Sequence, residues 1–273
     1  MARDSATILG AGGFIGSALV THMRGAGLQV NAPVRADIDN FSALKGPLGH
    51  VVYCIGVTSD FRTRPYDTVN AHVGVLSRVL ETCDFNSLTY LSSTRVYVHA
   101  PAANEDTPIV VDPRFAEDLF NLSKLTGEAL CLASGRPCRI ARVSNVFGED
   151  DPSDNFLTSI LREAAVTGKV TIGLSPESAK DYVDLRDVSR WLGAIATSGT
   201  QRVYNVASGR NTTNAAIASA LRALGIDVQF QSSGREISFP AIDVSRLNAE
   251  FGAATGDVIA RLPELLNVLK HQT

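Results

Sequence analysis

Long hydrophobic runs, paired cysteines and surplus charge are all missing from this sequence. No stretch approaches the roughly 20 apolar residues of a membrane-spanning helix. The opening segment, MARDSATILGAGG, lacks the apolar region of a signal peptide. Membrane and secreted roles are therefore set aside, and a cytoplasmic protein is expected. Lys and Arg number 25 against 28 Asp and Glu, a net charge of −3. Such a balance raises no field to gather nucleic acid or an anionic lipid surface. An anionic ligand would have to be held locally, by a few placed donors. The four cysteines, Cys54, Cys83, Cys131 and Cys138, form no C-x-x-C pair and no metal spacing with histidine. They read as small, reduced core residues. The histidines, His22, His50, His72, His99 and His271, show neither metal nor catalytic-triad spacing, so no metal is expected. The single tryptophan, Trp191, sits in a helical run with Leu192 and Ile195 and reads as core.

What is present is an ordinary globular composition, 273 residues of which 45% are hydrophobic. That length suits one large domain or a domain and a half. Short apolar runs predict strands at Thr7–Leu9, Leu28–Val34, His50–Ile55, Ser87–Leu91 and Pro137–Val143. Apolar residues at helical spacing predict helices over Phe14–Arg24, Val69–Cys83 and Ala116–Ala133, with a shorter one beginning at Leu44. Strand alternating with helix at this rhythm makes βαβ units and an α/β, doubly wound parallel sheet of Rossmann type. The later chain is looser. It predicts helices at Asn155–Thr167, Asp187–Ala196, Thr212–Leu224 and Val258–Leu269, the last kinked at Pro263. Strands are expected at Lys169–Ile172, Arg202–Val206 and Asp227–Gln231. Residues 1–145, joined by residues 181–206, are expected to form the larger, Rossmann-type domain. Residues 146–180 and 207–273 are expected to form a small second domain.

The first strand runs into Gly10-Ala11-Gly12-Gly13-Phe14-Ile15-Gly16. A dinucleotide loop needs a tight turn, a backbone open to pyrophosphate and close helix–strand packing, and Gly10, Gly13 and Gly16 are spaced for those tasks. The helix beginning at Phe14 would offer free N–H groups and the positive end of its dipole to phosphate. This meets the requirement for local anion binding. Arg35 lies 19 residues after Gly16, at the expected end of the second strand. An arginine there suits the 2′-phosphate of NADP(H), while Asp37 and Asp39 beside it keep NAD(H) open.

Seven segments, taken in order, resemble the extended short-chain dehydrogenase/reductase family, the epimerases, dehydratases and reductases of nucleotide-activated sugars. They are the glycine loop, Val69-Asn70-Ala71, Leu91-Ser92-Ser93-Thr94-Arg95-Val96-Tyr97, Ser123-Lys124-Leu125-Thr126-Gly127-Glu128, Arg142 to Gly148, Lys180 to Val188, and Tyr204 to Gly209. The resemblance implies a catalytic Ser93 bonding to the reacting sugar oxygen and a Lys124 holding the nicotinamide ribose. It implies cofactor contacts by Gly10, Gly13, Phe14, Ile15, Gly16, Arg35, Asp37, Ile38, Asn70 and Lys124, with Asp37 and Ile38 near adenine. Ser93, Thr94, Asn145, Lys180 and Arg210 are the implied contacts of a nucleotide-diphosphate sugar. A homodimer paired through Val69–Cys83 and Ala116–Ala133 is also implied.

One departure bears on the chemistry. The family's acid–base tyrosine precedes the lysine by four residues, and Phe120 stands there, in Phe120-Asn121-Leu122-Ser123-Lys124. A phenyl ring can neither donate nor accept a proton. The explanations are an engineered Tyr-to-Phe change, another donor such as Tyr97, Tyr66 or water, or a non-catalytic relative. Lys180 also replaces a frequent arginine, losing its two-pronged grip on phosphate. After Ser93 stand Thr94-Arg95 rather than the Asp-Glu of sugar dehydratases, which leaves ketone reduction or epimerisation. The compact segment about Arg35 favours a keto-sugar reductase; an epimerase with tightly held NAD and a non-catalytic NAD(P)-binding regulator are the alternatives. Thr58, Ser59, Asp60 and Arg62 read as a polar loop or a pocket wall. His72 reads as ordinary packing, with a substrate contact as the alternative.

Overall fold

The computed structural model describes residues 5–41, 44–57, 59–237 and 239–272, with Ser59, Ser233 and Gln272 described by their backbone alone. Thr58 lies outside the described residues, as does the side chain of Ser59. The chain starts with β1 (Ser5–Leu9), α1 (Phe14–Gly25), β2 (Gln29–Asn31), α2 (Arg35–Asp39) and β3 (His50–Tyr53). Then come α3 (Pro65–Val69), a π-helical turn (Asn70–Gly74), α4 (Val75–Thr82) and β4 (Ser87–Ser93). A 3₁₀ turn (Thr94–Tyr97), α5 (Asp118–Ala133) and β5 (Cys138–Val143) follow.

Among the described residues one six-stranded sheet forms in the order β2-β1-β3-β4-β5, closed at its far edge by β9 (Val203–Val206). Every pairing in it is parallel. The strands other than β2 are buried because both faces of the sheet are covered. On one face Leu19 and Met23 of α1 pack with Val188, Trp191, Leu192 and Ile195, on the helix over Leu185–Ser198. Trp191 is fully buried and its Nε1 donates to the carbonyl of Gly252. On the other face Leu76, Val79 and Leu80 of α4 and Cys131 of α5 cover Tyr53, Tyr90 and Ile140. The order reverses direction between β1 and β3, and ligands of such sheets bind in the crevice at that switch point. The carboxyl ends of β1, β3 and β4 therefore position the site.

Beyond β5 the chain forms β6 (Asn145–Phe147), α6 (Phe156–Thr167), β7 (Lys169–Leu174), β8 (Ala179–Asp184) and α7 (Leu185–Ser198). After β9 come β10 (Asn211–Thr213), α8 (Asn214–Ala223), β11 (Asp227–Arg235), α9 (Ser245–Phe251) and α10 (Val258–Gln272). A second core gathers Leu157 and Ile160 of α6, Ile172 of β7, Leu221 of α8 and Leu262 and Leu265 of α10. Two small sheets accompany it, β10-β8-β6 and β11-β7.

Several elements differ from the sequence reading. The second strand is confined to Gln29–Asn31. Pro33, which has no N–H to give a ladder, is followed by α2, so Arg35 opens a short helix instead of ending a strand. The helix read from Val69 is opened by the π turn and preceded by α3. Residues 179–184 form a strand, and α9 packs Leu247 into the first core. The last helix runs on through Pro263.

Candidate active site

Gly10 ends β1 with φ at +89°, a conformation that disfavours any side chain. A Cβ there would also lie 2.9 Å from the backbone of Cys54 and Ile55, so β1 and β3 close together at the crevice only over a glycine. A Cβ on Gly16 would lie 2.2 Å from the Gly10 carbonyl. Gly13 takes the N-cap position of α1, its N–H donating to the Gly10 carbonyl at 3.0 Å. Among the described residues no side chain caps this helix. The result is a bare run of backbone at the N-terminus of a 12-residue helix, open to an anion and of matching polarity. Phe14 lies against Gly148, where a Cβ would be 3.2 Å from its ring.

The floor of the crevice is built around Gly56, just after β3. The π turn carries one residue more than an α-helical turn, which unpairs backbone carbonyls. Two tyrosines of the sheet satisfy them: Tyr53 donates to the carbonyl of Ala71 at 2.6 Å, and Tyr90 to that of His72 at 3.3 Å. Helix α5 approaches closely because position 127 is glycine; a Cβ there would lie 2.4 Å from the Tyr90 hydroxyl. The turn thus directs His72 inward. It is fully buried, its Nδ1 is 2.8 Å from Ser123 Oγ, and its Nε2 has no hydrogen-bond partner among the described residues. Burial, and then the charge of Lys124, push its pKa down to about 2, so the ring is neutral.

Lys124 is 6% exposed and donates from Nζ to the Leu91 carbonyl at 2.8 Å. Its ammonium lies 5.2 Å from the centre of the Tyr90 ring. Burial lowers its pKa to about 7, against the upward pull of Cys54 and Glu128. Burial pushes the Cys54 thiol up to about 12, so that partner stays uncharged at neutral pH. A cation this costly to desolvate is retained with one backbone partner at the crevice.

Ser93 ends β4 at the sheet's carboxyl edge, and its Oγ accepts from the backbone N–H of Arg95 at 3.2 Å. Thr94 follows, 8% exposed. Phe120, half-buried on the first turns of α5, packs its ring 5.1 Å from Phe61 and 5.2 Å edge-on from His72. The Lys124 ammonium is 5.9 Å from the ring centre. Neither tyrosine named as a substitute proton donor is poised for that work. Tyr97 is buried, donates to Asn205 Oδ1 at 2.9 Å and accepts from Arg142 at 2.7 Å. Arg142 in turn forks onto Glu128 at 3.0 and 2.7 Å. Tyr66 is 89% exposed on α3.

The remaining candidates scatter. Lys180 is half-buried, 5.4 Å above the Phe156 ring, and burial followed by the charge of Arg95 lowers its pKa. Arg95 and Arg62 share the carboxylate of Glu117, so three cations meet one anion here. Asn145 turns its amide to the Asp181 carbonyl at 2.8 Å. Arg210 reaches the Gly256 carbonyl and Asp257. Asn70 is exposed and folds its carboxamide over Gly74. Ile38 is 4% exposed among Leu44, Leu48 and Leu76, its N–H donating to the Val34 carbonyl and its carbonyl accepting from Phe41, so its side chain is not available to a ligand. Asp37 is half-buried. Arg35 is exposed, with Asp39 3.9 Å away.

The structure brings to the crevice Arg95 and Glu117, to which the sequence reading gave no binding role, and His72, which it read as packing with a substrate contact as the alternative. Ser123 and Phe120 at helical spacing on α5 could have pointed to His72 only if the π turn had been known. Among the described residues no three His, Cys, Asp or Glu side chains gather as a metal site, and no helix is long and apolar enough to cross a membrane.

Comparison with known proteins gives the following. The model of the NAD dependent epimerase/dehydratase family matches residues 6–207. Subunit 9 of the NADH dehydrogenase (ubiquinone) 1 alpha subcomplex, mitochondrial, of Dictyostelium discoideum is 29% identical over 164 residues. That match takes in 54% of this chain and 43% of the relative, so the chain spans less than half the length of that protein. The solved structure of MoeE5 in complex with UDP-glucose and NAD superimposes with a TM-score of 0.82 at 22% identity, over 98% of this chain and 99% of that one. A Tyr-to-Phe mutant of UDP-glucuronic acid 4-epimerase from Bacillus cereus, bound to a fluorinated UDP-sugar and NAD, superimposes with a TM-score of 0.79 at 18% identity. It covers 98% of this chain and 100% of that one. At these identities the two structures establish the shared fold.

Proposed function

Because the chain belongs to the NAD dependent epimerase/dehydratase family, we propose that it is an NAD(P)-dependent oxidoreductase of a nucleotide-activated sugar, and within that class a keto-sugar reductase. The observation that carries the reading is Lys124, an almost fully buried lysine with one carbonyl partner, held where β3 and β4 open onto the crevice. A packing role would not call for an ionisable nitrogen there.

The residues present fit a nicotinamide dinucleotide. Bare N–H groups at the start of α1, with no Cβ at Gly10, Gly13 or Gly16, would take the pyrophosphate. Lys124 would hold the ribose on the nicotinamide side. The bound nicotinamide supplies the hydride. Ser93 would orient the sugar oxygen, and Lys180 with Arg95 and Arg62 would hold the diphosphate of the sugar nucleotide, more than neutralising Glu117. Arg35 supports NADP(H): its ion pair with Asp39 is long and exposed, so little is lost when the guanidinium turns to a 2′-phosphate. Thr94-Arg95 in place of an acid and a base speaks against dehydration. Phe120 holds no proton, and in this chain water beside Ser93 would supply it, at a cost in rate.

Phe120 also favours a second reading, a dinucleotide-binding regulator that kept the fold without the chemistry. Calorimetry with NADPH, NADH and a set of UDP-, dTDP- and GDP-sugars separates the two. A reductase binds NADPH more tightly than NADH and binds one sugar nucleotide well. A regulator binds cofactor and none of the sugars. NAD released from the purified, denatured protein would instead indicate an epimerase.

A further inference from the structure

Among the groups lining the crevice, His72 leaves half of its hydrogen-bonding capacity unused. Ser123 Oγ donates to the carbonyl of Phe120 at 2.9 Å. Its one proton is engaged there, so at 2.8 Å from His72 Nδ1 it can only accept. The imidazole therefore carries its proton on Nδ1, and Nε2 is a lone pair. That lone pair is buried and meets no donor among the described residues. Lys124 is its opposite: an ammonium with three donors, one of them engaged at Leu91. Both atoms face the bare α-carbon of Gly56, since a Cβ built there would lie 3.4 Å from Nε2 and 3.6 Å from Nζ. Gly56 itself is exposed, so a ligand laid over it comes up to both.

A donor and an acceptor within reach of one point are complementary to a hydroxyl group, which accepts from the ammonium and donates to the imidazole. An ionised phosphate or carboxylate has no proton for the lone pair, and a second cation would face Lys124. The machinery that presents Nε2 is specific: the π turn rotates His72 inward, Tyr53 and Tyr90 pin the carbonyls of that turn, and the edge contact with Phe120 covers the ring.

We propose that His72 is a cofactor-binding residue whose Nε2 accepts a hydrogen bond from a hydroxyl of the nicotinamide-side ribose, the same hydroxyl accepting from Lys124. This rests on the reading above that a dinucleotide occupies the crevice. It assigns to His72 part of the grip on the ribose, while Phe120 contributes none.

The test is titration calorimetry of the whole protein with NAD, ADP-ribose and ADP, the last lacking the second ribose. His72→Phe should weaken NAD and ADP-ribose about tenfold, in line with a hydrogen bond whose loss leaves the buried hydroxyl proton without an acceptor, and leave ADP within about twofold. His72→Gln, which can again present an acceptor, should recover most of the loss. In wild-type protein labelled with ¹⁵N-histidine, the Nε2 resonance of His72 should shift on addition of ADP-ribose and not of ADP. Unchanged NAD affinity in His72→Phe, or equal losses for ADP and ADP-ribose, would overturn the proposal, as would a silent Nε2 resonance. Wild-type protein that binds ADP but gains nothing from the second ribose also overturns it. Wild-type protein that binds neither these three nor NADP, 2′-phospho-ADP-ribose and 2′-phospho-ADP, the same series read for a 2′-phosphate-selective site, overturns the dinucleotide reading itself, and the role of His72 falls with it.

Discussion

Placing a hydroxyl at position 120 tests the chemistry of the crevice with a single oxygen atom. The Phe120 ring centre lies 5.9 Å from the Lys124 ammonium. With that separation and an effective dielectric of about 20, the ammonium stabilises a phenolate at position 120 by about 3 kcal/mol, or about 2 pKa units. While Lys124 is charged, a tyrosine there would be drawn from its usual value of about 10 towards about 8, which makes it a stronger acid for protonating the sugar oxygen. Lys124 itself loses its proton near pH 7, so the pull is fullest below that pH and the two groups titrate as a pair. A placed general acid contributes about 10²- to 10⁴-fold, which corresponds to about 3–5 kcal/mol of barrier. Phe120→Tyr should therefore raise kcat for a keto-sugar nucleotide by about 10²-fold or more, with KM nearly unchanged. NADPH consumption followed by absorbance reads it directly, and the rate should vary with pH across the neutral to mildly alkaline range. A folded Phe120→Tyr protein that turns over no faster than wild type, or with a flat pH profile, would refute this electrostatic reasoning.

Other perturbations separate binding from stability. The folded pKa of Lys124 lies near 7, below its usual 10.5, and that of His72 near 2, below 6.5. In the windows between these values the unfolded chain binds the extra proton, so stability rises with pH in both. Urea unfolding at pH 5, 7 and 9 should show this, with Lys124→Met flattening the upper rise and His72→Phe the lower. Gly16→Ala places a Cβ 2.2 Å from the Gly10 carbonyl. It should lower dinucleotide affinity at least tenfold by prising the loop from α1, with a folding cost of about 1–3 kcal/mol measured by thermal unfolding. Tyr97→Phe removes the hydroxyl shared by Asn205 and Arg142. It should cost about 1–3 kcal/mol in denaturant unfolding and leave the turnover of Phe120→Tyr protein unchanged; a collapse of that turnover would reinstate Tyr97 as a proton donor.

Features carried by local rules were legible in the sequence. The glycine loop was readable because its turn and its close approach to β3 admit no side chain, and the strands of the large sheet because burial on both faces leaves an unbroken apolar run. Features set by distant partners were not. Strand β8 carries Lys180, Asp181 and Asp184 and does not read as a strand; Asp181 is buried there because the backbone N–H groups of Ser208 and Arg210 and the Ser208 hydroxyl bond its carboxylate. Tyr97 was a candidate donor until the structure showed its hydroxyl engaged with Arg142 and Asn205. His72 was obscured for a different reason. Helical periodicity assumes 3.6 residues per turn, and the single extra residue of the π turn rotates position 72 from where that period puts it. The crevice is thus announced by glycines and completed by a local departure from regular helix.

On this reading one crevice, bounded by Gly13, Gly56, Ser93 and Lys124, takes a nicotinamide dinucleotide and a nucleotide sugar together. The decisive experiment is a crystal structure of the protein grown with NADPH and the sugar nucleotide that binds best in calorimetry. Pyrophosphate is expected on the N-terminus of α1, the second ribose between Lys124 and His72, and the sugar oxygen against Ser93. A dinucleotide bound away from the glycine loop, or a bound cofactor with no sugar nucleotide beside Ser93, would refute a shared crevice.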